Sequence, residues 1–145
     1  MSFPMSIILR SASVDSRLPT HSQNDKDKGA VRLLDSDSFG RIWIGTTGGG
    51  VFCYDGNQFI NYTTTDGLTD DGPRSILVTQ DNNLWVGAYQ GVSVCNLDQE
   101  TSNIKFRAYR TEDGLSYPEI KGGIYHSDDV LVWFGTTGGA VAFLH

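Results

Sequence analysis

Beyond residue 30 the apolar residues come in short runs, none longer than a strand, divided by turns of Gly, Asp, Asn and Ser. Residues 31–35, 41–46, 50–55 and 58–63 read as four strands, and 74–79, 83–88, 91–97 and 104–110 as four more. A third group, 122–126, 131–136 and 140–144, supplies three. Turn signals stand between them: Phe39-Gly40, Asp81-Asn82-Asn83 and Asp128-Asp129 after each first strand, glycine clusters after each second, Asp55-Gly56-Asn57 after a third. Val51 and Cys53 point to one side of their strand, Phe52 and Tyr54 to the other, so both faces are apolar. A half-exposed sheet would alternate apolar with polar residues; these sheets are expected to pack on both faces.

The triplet Trp-x-Gly then recurs at Trp43-Ile44-Gly45, Trp85-Val86-Gly87 and Trp133-Phe134-Gly135, 42 and 48 residues apart (85 − 43; 133 − 85). That is the period of a four-stranded propeller blade. The unequal spacing lies within the second unit: Trp43 to Tyr62 is 19 residues and Trp85 to Tyr109 is 24. The extra residues fall in the hairpin 97–103, where insertion is tolerated. The expected fold is all-β, a partial β-propeller of about three four-stranded antiparallel blades near 30–67, 68–115 and 116–145. The third lacks its outer strand unless the N-terminal segment supplies it. Residues 1–29 stand outside the repeat, a polar, largely flexible stretch with one candidate strand at 6–12. A ring needs about four blades or more. Further blades, from a longer chain or from other copies in a homo-oligomer, are therefore expected to complete it.

These residues resemble the two-component regulator propeller repeat. The resemblance is carried by Ile42-Trp43-Ile44-Gly45-Thr46 with Gly48-Gly49, the aromatic run Phe59-Ile60-Asn61-Tyr62, and Thr65-Asp66-Gly67-Leu68. A second copy reads Leu84-Trp85-Val86-Gly87, Phe106-Arg107-Ala108-Tyr109 and Glu112-Asp113-Gly114-Leu115; a third keeps Val132-Trp133-Phe134-Gly135-Thr136. The resemblance implies the β-propeller sensor region of hybrid histidine kinases and related regulators, an extracytoplasmic setting, and a response to glycans or other nutrients. No kinase, response-regulator or cyclase sequence accompanies the repeats.

A formal charge of −6, from 11 basic and 17 acidic residues, gives no basic face for phosphate, so no nucleic-acid partner is expected. No apolar stretch reaches the length of about 18 residues that a membrane span requires, and the first ten residues lack the basic start of a signal peptide. Cys53 and Cys95 do not make a disulfide framework. Their strand parity brings them toward one blade interface, where two buried free thiols are expected.

In a propeller the loops from second to third strand, and from outer strand to the next inner strand, share one face. That places Thr46, Thr47, Asp70, Asp71, Arg74, Tyr89, Gln90, Tyr117, Glu119, Lys121, Thr136 and Thr137 on a common rim. Within it Arg74, Tyr89, Gln90, Tyr117, Glu119 and Lys121 form the candidate ligand-binding set: Tyr89 and Tyr117 offer stacking faces, Gln90 and Glu119 hydrogen bonds. The glycine clusters precede strands and lack a following Gly-Lys-Ser/Thr, so they are not phosphate loops. Asp35-Ser36-Asp37-Ser38-Phe39-Gly40 starts like a calcium loop but has Phe39 and Thr46 where ligands belong, and reads as a hairpin turn. His21, His126 and His145 have no metal-like spacing. No catalytic set, metal or cofactor is expected. The function expected is non-catalytic sensing of a glycan or small nutrient; the alternatives are a propeller lyase or hydrolase of the streptogramin-lyase kind and a protein-assembly scaffold.

Overall fold

The structure is a computed structural model describing residues 30–127 and 131–144. Among these described residues lie eleven strands: β1 (Val31–Ser36), β2 (Ile42–Thr46), β3 (Val51–Tyr54), β4 (Phe59–Tyr62), β5 (Pro73–Val78), β6 (Asn83–Ala88), β7 (Gly91–Asn96), β8 (Arg107–Tyr109), β9 (Ile120–His126), β10 (Leu131–Thr136) and β11 (Gly139–Leu144). They form three antiparallel sheets in the orders β1-β2-β3-β4, β5-β6-β7-β8 and β9-β10-β11. The fold is therefore all-β, with two four-stranded blades followed by one that has three strands among the described residues. The inner strands β1, β5 and β9 lie side by side, each touching the next. The candidate strand at 6–12, and its part as the outer strand of the third blade, lie outside the described residues.

The strands end where the local chemistry requires. Asp55 turns the β3–β4 hairpin by accepting the amide hydrogens of Asn57 and Gln58, both at 2.9 Å. The run 104–110 yields only three residues of strand, because the Phe106 amide is committed to the Asp66 carbonyl and Arg110 caps the 3-10 turn that follows. Two matching 3-10 turns follow the outer strands, Thr64–Asp66 and Thr111–Asp113. In each, the aspartate accepts the amide of the residue before the turn: Asp66 from Thr63 and Asp113 from Arg110, both at 3.0 Å. Gly67 and Gly114 then take left-handed φ values of 101° and 94°, which glycine alone adopts without strain. The following Leu68 and Leu115 are buried. The Asp-Gly-Leu signature is thus a cap, a reversal and an anchor.

The tryptophans wedge between blades. Trp43, wholly buried, lies with Val51, Cys53, Ile76, Val86, Cys95 and Leu97 between the first and second sheets. Its indole Nε1 donates to Asp37 at 2.8 Å, and Arg41 Nε donates to the same carboxylate at 2.6 Å. With the amides of Phe39 and Arg41 also donating to it, Asp37 is the hub of its hairpin turn. Trp85 repeats the wedge between the second and third sheets with Ile120, Val132 and Phe134. Trp133 stands at the same position of the third sheet but is 39% exposed, its far face carrying exposed Tyr125 and Leu144. Both cysteines are buried free thiols in the first of these interfaces, and burial pushes each thiol pKa up to about 12.

Candidate loop-face site

The loops at one end of the second and third blades carry the candidate residues. Tyr89 and Gln90 form the β6–β7 turn, Tyr117 and Glu119 lead into β9, and Thr137 lies in the β10–β11 turn. Together with Arg110, Thr111, Glu112 and Pro118 they line a cavity of about 470 Å³. A run of polar contacts crosses its rim. The Arg74 guanidinium sits 5.7 Å from the centre of the Tyr89 ring. The Tyr89 side chain lies close enough to Glu119 to favour its charged form. Glu119 Oε1 meets Lys121 Nζ at 2.8 Å. All six candidate residues are thereby brought to one neighbourhood.

The hydrogen bond from Lys121 holds the Glu119 carboxyl below the ordinary carboxylate value. Partial loss of water opposes this, while the charge of Lys121, the Tyr89 hydroxyl and the charge of Arg74 reinforce it. Tyr89 and Tyr117 are 52% and 53% exposed, so both present ring surface to solvent. Tyr117 owes its pose to Gly138: a Cβ there would overlap its ring. Its ring also lines a second cavity, of about 400 Å³, beside β11.

Other rim residues are occupied by their own turns. Thr46 is fully buried, its hydroxyl donating to the Gly50 carbonyl at 2.8 Å and accepting from the Gly49 amide at 2.9 Å. Thr136 makes the equivalent pair with Gly139 and Gly138. Asp70 accepts from the amides of Gly72 and Gln90, and Asp71 from that of Thr64. These side chains shape the loops rather than face the cavity, because short turns consume small polar groups. Arg110 was missed by the sequence reading; it follows the last aromatic of β8, and its guanidinium donates to the Thr69 carbonyl at 3.2 Å. Its only sequence signal was its place between an outer strand and the rim.

Asp37 is committed to Arg41 and Trp43, so the Asp-rich turn is a structural hairpin. Among the described residues no group of three or more His, Cys, Asp or Glu side chains is arranged to hold a metal ion, and no helix is long and apolar enough to cross a membrane.

No protein-family model matches this sequence, and no curated protein matches it. Solved structures do. One is the extracellular domain of a B. thetaiotaomicron protein described as a hybrid two component system, BT3049, with a TM-score of 0.68 at 19% identity over 86% of this chain. That similarity is one of fold. A second is the extracellular domain of a protein described as a one component system, BT4673, from the same organism, at a TM-score of 0.39 and 22% identity over 79% of this chain. The chain spans 17% and 20% of the lengths of those two domains.

Proposed function

We propose that this chain is the ligand-contacting part of a non-catalytic sensor propeller of the two-component regulator type, acting outside the cytoplasm. Its ligand is a glycan or a similarly hydroxyl-rich small nutrient, held on the loop face. The observation that carries the reading is that Tyr89, Gln90, Tyr117 and Glu119 line one 470 Å³ cavity, with Arg74 beside the Tyr89 ring and Lys121 paired to Glu119. Two half-exposed tyrosine rings suit the apolar faces of a sugar ring. The ionised Glu119 and the amide of Gln90 suit its hydroxyls. The fold shared with an extracellular domain of a sensor system supports the setting.

The lyase reading requires a histidine and a glutamate to converge. Glu119 precedes β9 and His126 closes it, which separates them by roughly 20 Å of extended chain.

The test is thermal shift across an oligosaccharide panel. A binding sugar at one hundred times its Kd stabilises by about 2.7 kcal/mol, and Tyr89→Ala and Glu119→Gln should each weaken it at least tenfold. Silence across the panel, or binding unchanged in both variants, defeats the proposal.

A further inference from the structure

Seven basic residues follow position 30, and four of them serve their own surroundings. Arg41 pairs with Asp37, Lys105 with Asp66, Arg107 lies over the Tyr109 ring, and Arg110 donates to the Thr69 carbonyl. The other three, Arg32, Arg74 and Lys121, share one structural position. Val31 pairs with Thr46, Pro73 with Ala88 and Ile120 with Thr136 across the first two strands of each blade. In all three blades the next residue of the inner strand is the basic one.

The backbone sets that position apart from the rest of the strand. Immediately beyond each pair the ladder slips, between Val31 and Leu33 and between Pro73 and Ser75. In the third blade residues 121–123 stand opposite Gly135 alone. Such a bulge takes a residue out of the regular pleat and re-aims its side chain. Each repeat thus carries one cation at the loop-face end of its innermost strand. Because β1 touches β5 and β5 touches β9, the three cations stand on adjacent strands. Arg32 and Lys121 are exposed and Arg74 is half-buried.

Among the described residues, the carboxylate that meets this set is Glu119, paired with Lys121 at 2.8 Å and within the field of Arg74. Asp70 and Asp71, in the loop before β5, spend oxygens on the amides of Gly72, Gln90 and Thr64. Three cations at matching positions are notable in a chain of formal charge −6. Like charges on neighbouring strands repel, and a shared oxyanion relieves the repulsion. Arginine suits that partner well, because its planar fork matches the oxygens of a carboxylate or a sulfate.

We propose that Arg32, Arg74 and Lys121 form an oxyanion subsite at the inner edge of the loop-face cavity, so that the ligand is an acidic sugar. The inference rests on the loop-face reading and deepens it. Tyr89 and Tyr117 take the faces of the sugar ring, and the cations take its carboxylate or sulfate ester. Glu119, which lines the cavity, keeps Lys121 at its rim.

The probes are tetragalacturonate and its neutral methyl ester, and a sulfated galactan tetrasaccharide with its desulfated form. Each is titrated calorimetrically into the full chain at low and high salt. An acidic form should bind roughly tenfold tighter than its neutral counterpart, and the advantage should shrink as salt rises. Arg32→Gln should cost the acidic form about fivefold and Arg32→Glu more. Neither variant should change binding of the neutral form or the melting temperature, since Arg32 is exposed. Preference for the galacturonate assigns the carboxylate as the anion, and preference for the sulfated galactan the sulfate ester. Equal affinity for charged and neutral forms, or an acid preference untouched by Arg32→Gln, overturns the subsite while the loop-face site stands. Silence of both acidic sugars where a neutral one binds does the same. Silence of every sugar defeats the loop-face reading and this inference with it.

Discussion

Gly87 and Gly135 occupy the same place in consecutive Trp-x-Gly triplets, yet the structure gives them opposite tolerances. A Cβ on Gly87 would stand 2.6 Å from Ser75 Oγ, 2.8 Å from Ile120 Cγ2 and 2.9 Å from Phe134 Cδ1. Two of those atoms belong to the third blade, so relief requires separating the blades. Overpacking of this kind costs about 1–3 kcal/mol. Replacing a strand glycine returns roughly 0.5–1 kcal/mol of chain entropy, leaving Gly87→Ala destabilising by about 1–2 kcal/mol. A Cβ on Gly135 approaches only the Gly123 backbone, at 3.9 Å or more. Gly135→Ala is therefore neutral or stabilising, by up to about 1 kcal/mol. The pair should differ by about 2 kcal/mol, or roughly 6–8 °C in melting temperature for a chain of this size. Urea unfolding followed by tryptophan emission, with unchanged m-values, measures the difference. Equal losses in the two variants would refute the inference that one triplet is covered by a blade and the other is open.

Further outcomes follow from the same contacts. Asp37→Ala strips Arg41 and the Trp43 indole of a shared buried acceptor and should cost about 3 kcal/mol in urea unfolding. Cys53 and Cys95 should resist Ellman's reagent at pH 8 in the native protein and react fully once unfolded. Their folded pKa values of about 12 exceed the ordinary thiol value of 9.0, so the stability they contribute is complete below pH 9 and is lost as pH rises toward 12. The slope is about 1.4 kcal/mol per pH unit per thiol, and Cys53→Ala should flatten it in urea midpoints taken at pH 8, 10 and 11. Gly138→Ala should displace the Tyr117 ring and weaken any loop-face ligand severalfold with little loss of melting temperature. Because the Glu119 pKa is lowered, its link to Lys121 should hold above the ordinary carboxylate range and break only as pH falls below it, which NMR titration of the carboxyl would follow.

Much of this molecule was legible in its sequence because a blade is a local object. Strand, turn, strand and turn are neighbours in the chain, and the Trp-x-Gly period marks them without knowledge of distant contacts. All eleven expected strands are present, with shifts at their ends such as the early start of β9 at Ile120 and the shortened β8. The meaning of Asp-Gly-Leu could also be anticipated as turn chemistry, since a cap and a left-handed glycine act within four residues. Which rim residues face outward could not. Thr46, Asp70 and Tyr117 look alike as polar loop residues, and only their partners across the turns sort them.

The sequence by itself thus determined the repeating unit, the faces its residues take and the shared end of its loops, because those depend on periodicity and parity. Tertiary structure alone decided what each copy touches. The same triplet is a sealed wedge at Trp43 and Trp85 and an open one at Trp133. The same glycine abuts a strand at Gly50 and Gly91, whereas among the described residues a Cβ at Gly139 would meet nothing within 4 Å. Identical local sequence has different consequences there because burial is a property of neighbours, and neighbours are set by the stacking of sheets around the axis.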